Sequence, residues 1–258
     1  MNAPADHVLD SVATGSYHAP HDVLGSHQTE DGWVIRVRRP LARTVTAVFA
    51  NQPEASFRHL RAGVWEAALD ERPEAYRVVA TYDEAPAWVS DDPYRHLPTI
   101  GELDLHLIRE GRHEELWRVL GAHVRLHNGV PGVSFAVWAP NARAVRVIGD
   151  FNGWDGQGHA LRSMGDSGVW ELFVPGLNAG AVYKFQILTA DGAWIDKADP
   201  MARQSEVPPA TASIVAASSY EWEDAAWLDR RSTSTPVSQP MSVYEVHLGS
   251  WRSGLGYR

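Results

Sequence analysis

Two tryptophans stand where the chain turns. Trp154 closes the run Gly149-Asp150-Phe151-Asn152-Gly153-Trp154, directly after an Asn-Gly pair, and Trp194 follows Asp191-Gly192. Side chains at turns are hard to bury, so these indoles are candidates for a binding surface. Lys184 lies one strand earlier than Trp194, and Asn152 sits in the same turn as Trp154. Two aromatic faces, a cation and an amide suit a hexose, whose C–H face stacks on a ring while its hydroxyls need polar partners. Core packing is the competing role for both indoles, and Asn152 could serve only to shape its turn. Trp138 and Trp170, inside apolar runs, are expected in a core.

Other chemistry is poorly supplied. The chain has no cysteine, which removes disulfides, thiolate metal sites and a cysteine nucleophile. His18 and His21, or His123 and His127, have a spacing a metal could use, but neither pair has a third ligand. Neither Gly25, Gly121 nor the Gly153, Gly156, Gly158 cluster opens a strand-to-helix unit, and no P-loop or Gly-x-Ser-x-Gly elbow is present. No metal, catalytic residue or cofactor is therefore expected. A net charge of −9 argues against a sequence-independent grip on nucleic acid. No apolar run is long enough to cross a membrane, and the first residues show no secretory signal. The expected location is cytoplasmic.

The elements that must carry these residues come in two copies. Val23-Leu24-Gly25-Ser26-His27 recurs as Val119-Leu120-Gly121-Ala122-His123, and Ala42-Arg43-Thr44-Val45 as Ala142-Arg143-Ala144-Val145. Val64-Trp65-Glu66 matches Val169-Trp170-Glu171, Ala75-Tyr76-Arg77 matches Val182-Tyr183-Lys184, and Asp92-Pro93 matches Asp199-Pro200. Trp88 aligns with Trp194. The matches keep their order, which implies a duplicated domain. Within each copy, Trp33–Arg39, Val133–Trp138, Val169–Val174 and Val182–Ile187 alternate in the two-residue period of half-buried strands, bounded by turn pairs. An insertion that includes Trp154 separates the second copy from the first.

The expected fold is all-β: two tandem immunoglobulin-like β-sandwiches joined by a short helical connector. The boundaries read as a disordered 1–16, a first sandwich at 17–101, a connector with short helices at 102–128 and a second sandwich at 129–228. A polar linker at 229–240 precedes 241–258, where Met241–Leu248 begins like a new strand and the whole reads as the start of a truncated domain.

The motifs around Trp154, Val182-Tyr183-Lys184-Phe185 and Asp191-Gly192-x-Trp194 resemble a carbohydrate-binding module of family 48. Ser242-Val243-Tyr244-Glu245-Val246-His247-Leu248-Gly249-Ser250-Trp251-Arg252 resembles the first strand and loop of the (β/α)8 barrel in bacterial 1,4-α-glucan branching enzymes of glycoside hydrolase family 13. The resemblance covers nearly all of 17–258. It implies a retaining transferase that forms α-1,6 branches in glycogen, with its catalytic Asp and Glu on barrel strands missing from this chain. It also implies α-1,4-glucan and that barrel as partners, and sugar binding at Trp154, Lys184 and Trp194. One departure is Ala210-Thr211-Ala212-Ser213-Ile214, where glycogen-sensing modules often carry an Asn. A stand-alone glucan-binding or interaction protein is the alternative.

Overall fold

A computed structural model describes residues 4–254, which form two compact units, one ending at Ala217 and the other starting at Ser218. The first unit opens with α1 (Asp6–Ala13), whose Leu9, Val12 and Ala13 are buried. The strands β1 (Gly25–Thr29), β2 (Gly32–Arg38), β3 (Thr44–Phe49), β4 (Ala55–Ser56), β5 (Arg58–Arg61), β6 (Val64–Leu69), β7 (Tyr76–Thr81) and β8 (Trp88–Ser90) follow. They make two four-stranded antiparallel sheets, β1-β2-β6-β5 and β4-β3-β7-β8. Ile35, Val37 and Trp65 from one sheet meet Val45, Val78 and Tyr76 from the other in a shared core.

Helix α2 (Glu102–Arg109) comes next. The second set is β9 (Gly121–His127), β10 (Val130–Trp138), β11 (Ala144–Gly149), β12 (Arg162–Ser163), β13 (Val169–Pro175), β14 (Val182–Leu188), β15 (Trp194–Lys197), β16 (Gln204–Ser205) and β17 (Ser213–Ile214). Its sheets are β12-β13-β10-β9 and β11-β14-β17-β16, with β15 paired to β14. Val133, Phe135, Trp170 and Leu172 face Val145, Val147, Tyr183 and Phe185 between them. Mostly-β architecture in four antiparallel sheets is thus what the period-2 pattern specified. Leu9 and Val12 of α1, Val64 of the first set and Tyr94 belong to the same apolar cluster as this second core, so the two sets are welded through buried surface.

Several expectations need correction. The segment 1–16, of which 1–3 lie outside the described residues, carries α1, whose apolar face docks into the second core. The segment 102–128 holds β9 as well as α2, since Gly121–His127 pairs with β10 from Ala136 back to Val130. Trp138 lies outside the core and is 56% exposed. Val133, Phe135 and Val137 point inward, so strand alternation turns Trp138 outward.

The second unit contains α3 (Ala225–Thr233) and α4 (Leu248–Trp251). Helix α3 replaces part of the expected linker. Residues 241–247 form no strand among the described residues, and Val243 and Tyr244 are exposed. A strand needs a partner for its backbone N–H and C=O groups, and the second unit contains no other described strand.

Candidate functional site

The two faces of β14 divide the labour in the second set. Tyr183 and Phe185 enter the core, while Lys184, Gln186 and Leu188 take the opposite, outer face. Across the ladder, Trp194 pairs with Leu188 and Asp196 with Gln186 on one side. On the other, Arg146 pairs with Gln186 and Ile148 with Lys184. Lys184 and Trp194 therefore share the outer face of one sheet. Four residues of strand separate Lys184 from the partner of Trp194, roughly 13 Å.

The polar groups on this face are wired together. Gln186 Nε2 donates to Asp196 Oδ1 at 2.9 Å, and Arg146 Nη2 donates to Gln186 Oε1. The Arg146 guanidinium lies over the Trp194 ring, 3.6 Å from its centroid. That contact is a cation–π pair on one face of the indole. Lys184 Nζ donates to Thr211 Oγ1 at 2.8 Å.

The N-terminal helix reaches this face too. Arg146 Nη1 donates to the Thr14 carbonyl at 2.8 Å, and Arg38 Nε, from the first set, donates to the Ala13 carbonyl at 2.7 Å. Two cations on the last carbonyls of a helix complement its dipole. Gly15 follows with φ +65°, and an added Cβ there would meet Arg146 Cδ at 2.7 Å. Only glycine fits that approach.

Trp154 sits on the 150–158 turn and is 44% exposed, with φ +61°. Its N–H donates to the Gly149 carbonyl at 2.8 Å, which fixes its place at the end of the turn. The Asn152 amide is used within that turn. Its Oδ1 accepts from Gly149 N at 2.9 Å, and its Nδ2 donates to the Val147 carbonyl at 3.0 Å and to His159 Nδ1 at 3.2 Å. Burial pulls the His159 imidazole down to about 4, so the ring is neutral and can accept that bond.

The alignment of Trp88 with Trp194 does not survive. Trp88 pairs with Ala80, a core-facing residue of β7, whereas Trp194 pairs with the outward Leu188. The residue of β15 that pairs with a core-facing position is Ile195, opposite Ile187. A shift of one residue exchanges the faces of a strand. Identity of residue type suggested an equivalence that pairing contradicts. The signal that could have exposed it was the spacing to the Asp92 and Asp199 landmarks, which puts Ala87 opposite Trp194.

The histidine pairs hold no metal arrangement, and no metal-binding cluster occurs among the described residues. His123 Nε2 bonds the Leu120 carbonyl and His127 Nε2 the Leu97 carbonyl. Both His21 ring nitrogens are buried and unbonded.

Residues 119–202 match the family model of carbohydrate-binding module 48, described as an isoamylase N-terminal domain. Residues 5–94 match the N-terminal domain of alpha-1,4-glucan branching enzyme GlgB. Nearly the whole chain is similar to branching enzymes. The 1,4-alpha-glucan branching enzyme of Leifsonia xyli subsp. xyli is 57% identical over 98% of this chain and 35% of its own length. Those of Frankia casuarinae and Rhodococcus jostii are 53% and 54% identical over 97% and 99% of the chain, and 32% and 36% of their own lengths. The chain thus spans about a third of the curated relatives it matches. No helix among the described residues is long and apolar enough to cross a membrane.

Proposed function

We propose that this chain is the N-terminal part of a 1,4-α-glucan branching enzyme and that its second sandwich binds α-glucan. The observation that carries the site is the shared outer face of Lys184 and Trp194, within the residues matched to module 48. Exposed Trp154 stands on the turn that the first sandwich lacks. In this reading Trp194 stacks a sugar on the ring face opposite Arg146, Trp154 adds a second platform, and Lys184 donates to hydroxyls. Asn152 shapes the turn that presents Trp154.

The reaction of the whole protein would be transfer of an α-1,4-glucan segment to an α-1,6 position with retention. That chemistry needs a carboxylate nucleophile and a carboxylic acid flanking the bond. The buried carboxylates here already have other duties: Glu66 and Glu171 pair with arginines, and Asp92 and Asp199 accept from tyrosine hydroxyls. We therefore assign the chemistry to a barrel outside this chain, in the cytoplasm. A stand-alone glucan-binding protein is the second reading. Similarity to branching enzymes over 98% of the chain, beyond both sandwiches, favours the first.

Affinity electrophoresis in glycogen-containing gels tests the site. A single stacking ring contributes about 1 kcal/mol, so Trp154→Ala and Trp194→Ala should each weaken binding about fivefold. Retardation equal to that of the unsubstituted chain in both variants would remove the site from this face.

A further inference from the structure

A cleft of about 670 Å³ lies between the β8 edge of the first sandwich and the 150–158 turn of the second. Trp88 is 54% exposed on its wall, with the Arg39 guanidinium 5.2 Å from the ring centroid. Arg39 Nη2 donates to Ser90 Oγ at 2.7 Å and Nη1 to the Arg38 carbonyl at 2.8 Å. Its Nε is buried and has no acceptor. The facing wall supplies apolar surface from Pro131 and Leu177 and an acceptor in Asp155.

These features select a class of ligand. A backed indole offers its second face to a flat apolar surface, and donors and acceptors surround it. The lining sets Arg38, Arg39 and Arg77 beside Asp91 and Asp155, so donors and acceptors of both signs face the cleft. A neutral polyhydroxylated ring meets each condition, and the volume falls in the range of small-ligand sites. Trp88 cannot belong to the site on β14 and β15, because it faces the other way from Trp194 and sits in a different sheet.

We propose that this cleft is a second α-glucan subsite, with Trp88 as its platform and the Arg39 guanidinium backing the ring. The proposal rests on the glucan-binding reading above, and its test separates the two. Because the chain has no cysteine, Val89→Cys places a single thiol on the cleft lining. The experiment measures alkylation of that thiol in a Trp154→Ala/Trp194→Ala background, with and without maltoheptaose. With maltoheptaose at four times its Kd, the rate should fall about fivefold. Adding Trp88→Ala should abolish the protection. An unchanged alkylation rate, while the unsubstituted chain is still retarded by glycogen, would overturn the cleft and leave the outer-face site standing. An unchanged rate with no retardation of the unsubstituted chain would overturn both.

Discussion

The two sandwiches repeat the same internal devices but treat one sheet face differently. In both, a strand tyrosine donates to a buried aspartate: Tyr76 to Asp92 at 2.7 Å and Tyr183 to Asp199 at 2.6 Å. In both, a core indole donates to a turn carbonyl: Trp65 to Arg39 at 2.9 Å and Trp170 to Ala139 at 3.0 Å. In both, a buried glutamate on the outward face meets an arginine from the neighbouring strand: Glu66 with Arg58 and Glu171 with Arg162. The difference lies opposite that glutamate. Arg36 occupies the position across from Glu66, whereas Ala136 stands across from Glu171. The small residue makes room for the apolar layer formed with Ile100, Leu105 and Ile108, at and on α2. The first copy thus balances its buried acid with two cations. The second uses one cation plus the Thr99 hydroxyl and N–H, and gives the rest of the face to a helix.

That contrast can be broken by substitution. Arg162→Ala leaves Glu171, fully buried, without its ion-pair partner, and should destabilise the first unit by about 3–5 kcal/mol. Arg58→Ala leaves Glu66 with Arg36, and Arg58 is itself exposed, so the loss should stay below about 1 kcal/mol. Urea unfolding of both variants measures the difference, and equal losses would mean that the two acids are compensated alike.

Acid should reach the interior next. Burial lowers His159 to about 4 and His21 to about 2, while an unfolded histidine titrates near 6.5. The unfolded chain therefore binds more protons as pH falls below 6.5. Their contribution to stability is complete above pH 6.5 and declines as pH falls toward 4 for His159, and further for His21. The urea midpoint should drop between pH 7 and pH 5. His159→Gln should flatten part of that slope, and an unchanged slope in this variant would place the titration elsewhere.

The smallest effect belongs to an indole on the outward face. Trp138→Ala should cost no more than about 1 kcal/mol, since the ring is 56% exposed and its Nε1 makes one bond to the Ser167 carbonyl. Trp170→Ala, by contrast, should cost about 3–5 kcal/mol. A thermal melt ranks them, and a reversed order would contradict the assigned faces.

Much of the molecule was legible in its residues because alternation and turn pairs act locally. The duplicated landmarks, the strands around Trp170 and Tyr183, and the exposed turn at Trp154 follow from period and punctuation alone. The faces of single residues did not follow as well. Trp138 and Trp88 each went wrong by one step along a strand, where parity decides everything. Helix α1 was missed because eight residues carry little periodic signal, and what orders them is apolar surface distant in sequence. The role of Asn152 in its turn, and the stacking of Arg146 on Trp194, depend on side chains meeting across the fold and leave no mark in spacing.

Helix α1 also bears on how far the duplicated halves can live apart. Its last carbonyls are held by Arg38 from one sandwich and Arg146 from the other, and its Leu9 and Val12 sit in the second core. An excised second sandwich beginning near residue 119 would lose its apolar plug and leave Arg146 without the Thr14 carbonyl. A family boundary drawn on homology is therefore a poor place to cut. The sandwich that follows α2 in sequence owes part of its interior to residues more than a hundred positions upstream.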